Sequence, residues 1–228
     1  MINELAKQVH QKFHPILFST SMVQAIFEDR KTKTRRLRGL EKINSDPDKF
    51  EYAGCDNDLF SLSLAKHKDA HFFKLKDVPF EDKHIVVKCP YGKIGDVLWV
   101  RETSRINYEE YNIPGGISFK KIIEYKADYK NDTSIRKWKP SIFMPKAACR
   151  IFLEITDIKV ERLQDISGED AINEGVKVTS MWPLCIGDAY RAFKSLWQKI
   201  NGKNSWEVNL FVWVISFRKI NKPKNFNQ

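Results

Sequence analysis

Cysteine is sparse in this chain and is not arranged for metal or disulfide chemistry. Cys55, Cys89, Cys149 and Cys185 lie far apart and form no C-x-x-C pair. Neither a structural zinc site nor a disulfide framework is expected, and free thiols in a reducing cytoplasm are the better reading. His67 and His71 stand four apart near Asp69, but no H-E-x-x-H arrangement or third ligand accompanies them, so no metal is expected. His10, His14 and His84 carry no pattern. There is no glycine-rich phosphate loop, no G-x-S-x-G turn and no acidic cluster suited to two-metal chemistry. Those absences remove the commonest nucleotide hydrolases and metal nucleases, and no cofactor is expected. No run approaches the roughly 18 consecutive apolar residues of a membrane helix, and the N-terminus lacks the apolar segment of a secretory signal. A cytoplasmic protein with no membrane partner is the expectation.

What the chain does have is a core and a charge. Its 228 residues, 42% hydrophobic with six tryptophans, fit one large domain or one domain with an elaborate insertion. A formal net charge of +10 favours anionic partners such as RNA or nucleotides, although charge also serves solubility.

The charge concentrates in Glu28-Asp29-Arg30-Lys31-Thr32-Lys33-Thr34-Arg35-Arg36, where five cations interleave with two threonines. Just before it, Met22, Val23, Ile26 and Phe27 fall at helical spacing on one apolar face. The alternation from Lys31 onward suits an extended segment. A core-anchored helix would thus deliver ammonium, hydroxyl and guanidinium groups to one local surface; a solvated basic loop is the plainer alternative.

The run has company elsewhere in the sequence. Pro15-Ile16-Leu17-Phe18-Ser19, Lys31-Thr32-x-Thr34-Arg35-Arg36, Cys89-Pro90-Tyr91-Gly92-Lys93 and Gly95-Asp96-Val97-Leu98-Trp99-Val100-Arg101-Glu102 come in that order. Trp138 to Pro145, Glu161 to Ile166 and Phe211-Val212-Trp213-Val214 follow. Together they resemble the ASCH domain, a PUA-like β-barrel family, in the version common in phage and prophage proteins. The resemblance spans roughly residues 15–218, with 37–88 poorly matched and Asp29 standing where the family usually has glycine. It implies an α+β fold: a PUA-like barrel with flanking short helices and an insertion at about 37–88, preceded by a helix in 1–14 and followed by a disordered basic tail at 219–228.

Local patterns fill in the elements. Residues 2–13 read as an amphipathic helix ended by Pro15, with a first strand from Ile16 to Ser19. Phe72–Leu75 and Ile85–Lys88 read as strands of a hairpin-like excursion that covers the site or decorates the surface. In Val97–Glu102, Val97, Trp99 and Arg101 face one way and Leu98, Val100 and Glu102 the other. A loop at 112–116 precedes a strand near 121–127. A long strand from Ala147 to about Val160 shifts its apolar phase near Asp157, as a bulge would. Ser167 caps a short helix that stops at Gly175, and a second helix runs from about Asp188 to Ile200. Leu210–Phe217 is apolar on both faces, as a buried strand is.

Small bacterial acetylcytidine amidohydrolases look similar around the basic run. The resemblance assigns their lysine, threonine, arginine and glutamate to Lys31, Thr34, Arg36 and Glu174, which implies catalytic roles for Lys31, Thr34 and Glu174 if the chain is an enzyme. A lysine with a lowered pKa takes a proton from water or Thr34, Glu174 returns it to the leaving amine, and Arg36 steadies the oxyanion. The bland readings are a phosphate contact for Lys31, an Arg36–Glu102 salt bridge and a solvated Glu174. Two functions of different class follow. One is an RNA- or nucleotide-binding module whose ligand meets Arg30, Lys31, Thr34, Arg35, Arg36, Trp99, Arg101 and Glu102, with Lys93 for phosphate and Tyr91 or Trp138 for stacking. The other is a metal-independent hydrolase acting on a modified nucleoside or on RNA. Oligomeric state is not legible.

Overall fold

The computed structural model describes residues 11–55, 69–76, 84–129, 137–177 and 186–226. His67, Cys185 and residues 2–10 of the expected N-terminal helix lie outside them. The elements run β1 (Phe13–Leu17), α1 (Thr20–Phe27), β2 (Lys33–Arg36), α2 (Glu41–Asn44), β3 (Phe50–Cys55), β4 (Ala70–Leu75) and β5 (His84–Lys88). There follow β6 (Val97–Arg101), β7 (Ser104–Ile113), β8 (Gly116–Tyr125), β9 (Phe152–Arg162), α3 (Gly168–Asn173), α4 (Ile186–Asn201) and β10 (Phe211–Ile220). The fold is mixed α+β, mostly sheet with few helices.

The central sheet has the order β1-β6-β9-β10-β2. β1 lies parallel to β6, and the other neighbours are antiparallel. This corrects the expected closed barrel: among the described residues no ladder joins β1 to β2. β1 leaves the sheet at Phe18 to enter α1, and β2 is only four residues long. A side chain spans the two strands instead, Arg36 Nη2 donating to the Leu17 carbonyl at 3.0 Å.

β10 shows why the sheet is covered on both faces. Phe211, Trp213, Ile215 and Phe217 alternate into one apolar cluster with Ile16, Leu98 and Phe73, while Val212 and Val214 enter another with Phe193 and Trp197. β9 reaches the first cluster with Leu153 and Ile155, then with Ile158 and Val160. That change of phase is a bulge: Ser216 pairs with Asp157 but Phe217 with Ile155, leaving Thr156 as the extra residue.

Several expectations shift. The first strand is Phe13–Leu17, so Pro15 sits inside an edge strand, where its missing N–H costs nothing. The stretch 37–88 contains a third strand, β3, and β3-β4-β5 form their own antiparallel sheet. Its described residues do more than decorate the surface, because Phe73 is fully buried in the main core. β8 is preceded by a ten-residue partner, β7, in a hairpin joined through Pro114 and Gly115. The tail is not loose as far as residue 226. Phe226 is fully buried, with its ring centroid 4.7 Å from Phe152 and 5.2 Å from Phe13. One aromatic in a polar tail suffices to anchor it.

Candidate functional site

α1 begins at Ser19, whose hydroxyl accepts from Met22 N–H, and buries Val23, Ala25 and Ile26; Phe27 stays half exposed. Its last turn hands the chain to β2 tightly, the N–H groups of Arg30 and Lys31 both donating to the Ala25 carbonyl. Facing this junction is α3, capped by Ser167, whose hydroxyl accepts from Asp170 N–H at 3.0 Å, and closed by Glu174. Gly175 then turns with φ of 84°. A Cβ there would stand 2.8 Å from Ala25 Cβ and 2.9 Å from Lys31 Cβ, so only glycine lets the two segments approach this closely.

The basic run is delivered to the surface only in part, contrary to its sequence reading: Thr32 is exposed and Arg30, Lys33 and Arg36 are half-buried. Lys31, Thr34 and Arg35 are buried. Lys31 Nζ donates to Glu174 Oε2 at 2.9 Å and to the carbonyls of Glu174 and Lys33 at 2.8 Å each, which fills all three donors of an ammonium. Arg35 reaches Glu174 Oε1 at 3.3 Å, Asp170 Oδ2 at 3.0 Å and Glu161 Oε2 at 3.1 Å. Lys33 Nζ meets Asp170 Oδ1 at 2.5 Å. Three cations thus meet three carboxylates. Residues 31, 33 and 35 alternate along a strand, and Asp170 and Glu174 are one helical turn apart, so each set shares a face. Burial lowers the Lys31 pKa below its usual value, against the opposing pull of Glu174.

Beside this network lies a cleft of about 460 Å³ including its open mouth. Thr34, Arg35, Arg36 and Glu174 line its polar side, and Met22, Phe193, Leu196 and Trp197 its apolar side. Because β2 is the last strand of the sheet, residues from both of its faces reach the cleft. Arg36 differs from its neighbours: among the described residues no carboxylate lies within salt-bridge distance of it. It rests instead on the Phe18 ring, 5.1 Å from the centroid, and on the Leu17 carbonyl. Three residues of the cleft each hold a buried N–H without a partner among the described residues: Arg35 Nε, Arg36 Nε and Trp197 Nε1. All three are donors.

The other residues expected to bind a ligand lie elsewhere. Arg30 is tied to Glu28 and to the Gly175 carbonyl. Arg101 donates to the carbonyls of Met144 and Ile142 and lies over Trp99, whose ring meets Phe226. Glu102 does not pair with Arg36; it is buried against Arg150, at 2.9 and 3.0 Å, and Arg150 continues to Asp128. The reason is position: β6 stands three places from β2 in the sheet order, and Trp99 and Arg101 pack at the cluster around Met144. Trp138 is stacked by Arg105 at 4.1 Å, and Lys93 approaches Asp69 at 3.9 Å. Sequence reasoning missed Lys33, Glu161, Asp170 and the α4 wall. The alternation of cations and the Asp170/Glu174 spacing were the available signals.

Among the described residues no cluster of His, Cys, Asp and Glu could hold a metal ion, and no helix is long and apolar enough to cross a membrane. No known family, characterised protein or solved structure matches this chain.

Proposed function

We propose that the cleft between β2 and α4 binds a nucleotide, or a nucleotide unit of single-stranded RNA. The observation that carries this reading is the set of three unpartnered N–H donors on Arg35, Arg36 and Trp197. A buried donor without an acceptor is costly, and a ligand rich in acceptor oxygens supplies what these three lack. Phosphate oxygens and base carbonyls are such acceptors, and Arg36, which has no carboxylate partner among the described residues, is a cation available to them. The apolar wall of Phe193, Leu196 and Trp197 suits a planar base. Lys31 plays a supporting part here, because its ammonium is already saturated. The resemblance to phage-type ASCH proteins agrees with a nucleic-acid ligand. The test is calorimetric titration with cytidine monophosphate and with a short single-stranded RNA over a salt series. Binding that weakens with salt and is lost in Arg36→Glu, with the melting curve retained, is the expected result; no binding at low salt removes the reading.

A second reading, hydrolysis of an acylated cytidine or of RNA, has its own support. Thr34 and Glu174 both line the cleft, Lys31 touches Glu174, and burial lowers the Lys31 pKa. The protonated amine has no free lone pair, so base chemistry requires Lys31 first to give up a proton held between three acceptors. Release of acetate from acetylated cytidine by wild type but not by Thr34→Val is the outcome that favours it. Full activity in Thr34→Val removes Thr34 from the mechanism.

A further inference from the structure

β7 and β8 form a two-stranded ribbon that stands apart from both other sheets. Its root is fastened. Arg105 pairs with Glu124 at 2.5 Å and stacks on Trp138, Ser104 bridges to Lys139, and Tyr125 OH donates to the Ala148 carbonyl at 2.7 Å. Beyond the root the cross-strand register puts Ile106 opposite Ile123, Tyr108 opposite Lys121, Glu110 opposite Phe119 and Asn112 opposite Ile117. These ranks share one face. Tyr108, Phe119 and Ile117 on it are 57, 60 and 61% exposed, and Ile106 and Ile123 are exposed as well. The opposite face carries Asn107, Glu109, Lys120 and Ser118 together with Ile122 and, at the tip, Tyr111 and Ile113, 47 and 45% exposed, and is the less apolar of the two. An antiparallel sheet patterned in this way has one face built for packing. An isolated two-stranded ribbon is at best marginally stable in water.

We propose that this apolar face is the contact surface for a second copy of the chain. Charge decides between kinds of partner. The chain as a whole is +10, but the ribbon 104–125 sets three cations, Arg105, Lys120 and Lys121, against three carboxylates, Glu109, Glu110 and Glu124, and is neutral. A nucleic-acid arm needs a cationic excess that this ribbon lacks. Within the apolar face the only charges are Glu110 and Lys121, on adjacent ranks and opposite strands. A two-fold axis between those ranks, running across the strands, turns a second ribbon antiparallel over the first. Each Lys121 then lies at the level of the partner's Glu110, with the apolar residues between. A two-fold interface requires this kind of self-complementarity. The size is modest: ten residues per strand at ~3.3 Å rise and two strands ~10 Å wide give about 330 Å² per copy. That is below a standard interface, so the dimer is weak and concentration-dependent.

Sedimentation velocity of the full chain from about 1 to 100 μM tests this, the range being that of a small interface. A reversible monomer–dimer equilibrium is expected for wild type. Glu110→Lys and Lys121→Glu should each weaken it by at least about tenfold, since each sets like charges against one another. An equimolar mixture of the two variants should regain the dimer, because the heterodimer restores both opposite pairs. Circular dichroism checks that each variant is folded. A wild type that stays monomeric throughout overturns the proposal, and so does a dimer indifferent to both single substitutions or not regained in the mixture.

Discussion

At the junction of β2 and α3, Lys31, Lys33 and Arg35 meet Glu161, Asp170 and Glu174. Along the β7–β8 ribbon the same count of cations and carboxylates is spread over twenty-two residues. Both regions are neutral, yet Lys31 and Arg35 have fully buried side chains while Glu109, Glu110, Lys120 and Lys121 stand in water. The junction spends its charges on itself, through three elements held in contact. Beyond its root pair Arg105–Glu124, the ribbon leaves its other four charges and its large apolar side chains available. Density of charge in the sequence therefore points to the wrong place for an exposed surface; what distinguishes the two regions is which carboxylates the fold brings near.

The largest expected effect breaks the junction. Glu174→Ala leaves the Lys31 ammonium and part of the Arg35 guanidinium buried without their counter-charge, which should cost about 3–5 kcal/mol in urea unfolding. Lys31→Met should cost less, since Glu174 keeps Arg35 as a partner. A loss below about 1 kcal/mol in Glu174→Ala would mean that water reaches the pair as it reaches a surface salt bridge. Slightly smaller is Phe226→Ala, about 3 kcal/mol for an emptied aromatic site in the core. Unchanged stability there would return the tail to the disordered state its composition suggests. Gly175→Ala should follow at about 2 kcal/mol, from the positive φ and the close approach to Ala25 and Lys31.

Much of the junction was legible, element by element. The apolar spacing before Lys31, the Ser167 cap and the stop at Gly175 each correspond to something in the structure. What no local pattern gives is the pairing of residues 31–35 with carboxylates more than 120 positions away, so burial of the cations was not foreseen. The bulge in β9 was readable because Ile155 and Ile158 break a period of two. β7 was missed because Asn107-Tyr108-Glu109-Glu110-Tyr111-Asn112 reads as polar unless its apolar residues are matched with those of β8. The single Phe226 was lost among polar neighbours. The absence of a closed ladder between β1 and β2 depends on their short lengths, which periodicity does not fix.

Acid should probe the junction more gently. Burial works to raise the Asp170 pKa, but the hydrogen bond from Lys33 and the charge of Arg35 outweigh it, leaving the carboxyl below its usual value of 3.8. A carboxylate whose pKa is depressed by folding adds stability above its unfolded pKa, and that stability is lost as pH falls through the folded value. Urea midpoints should therefore decline below about pH 4, and Asp170→Asn should flatten that decline. The change is expected to stay under about 1 kcal/mol, since Asp170 is partly solvated. A slope identical in wild type and variant would show that other acids carry it.

The smallest effect belongs to the ribbon and is the sharpest form of the comparison. Phe119→Thr and Ile117→Thr replace side chains that are about three-fifths exposed with a β-branched residue that suits a strand. In dilute solution, where the chain is monomeric, each should change unfolding stability by no more than about 0.5 kcal/mol. The Glu174 substitution at the junction is expected to cost several times that, although both regions are neutral. At high concentration the wild type should gain stability by mass action and the threonine variants should not, because their apolar face no longer suits a second copy. Thermal melts at two concentrations separate the terms. A large destabilisation already present at low concentration would place Phe119 and Ile117 in an intramolecular contact, and the ribbon would then resemble the junction rather than contrast with it.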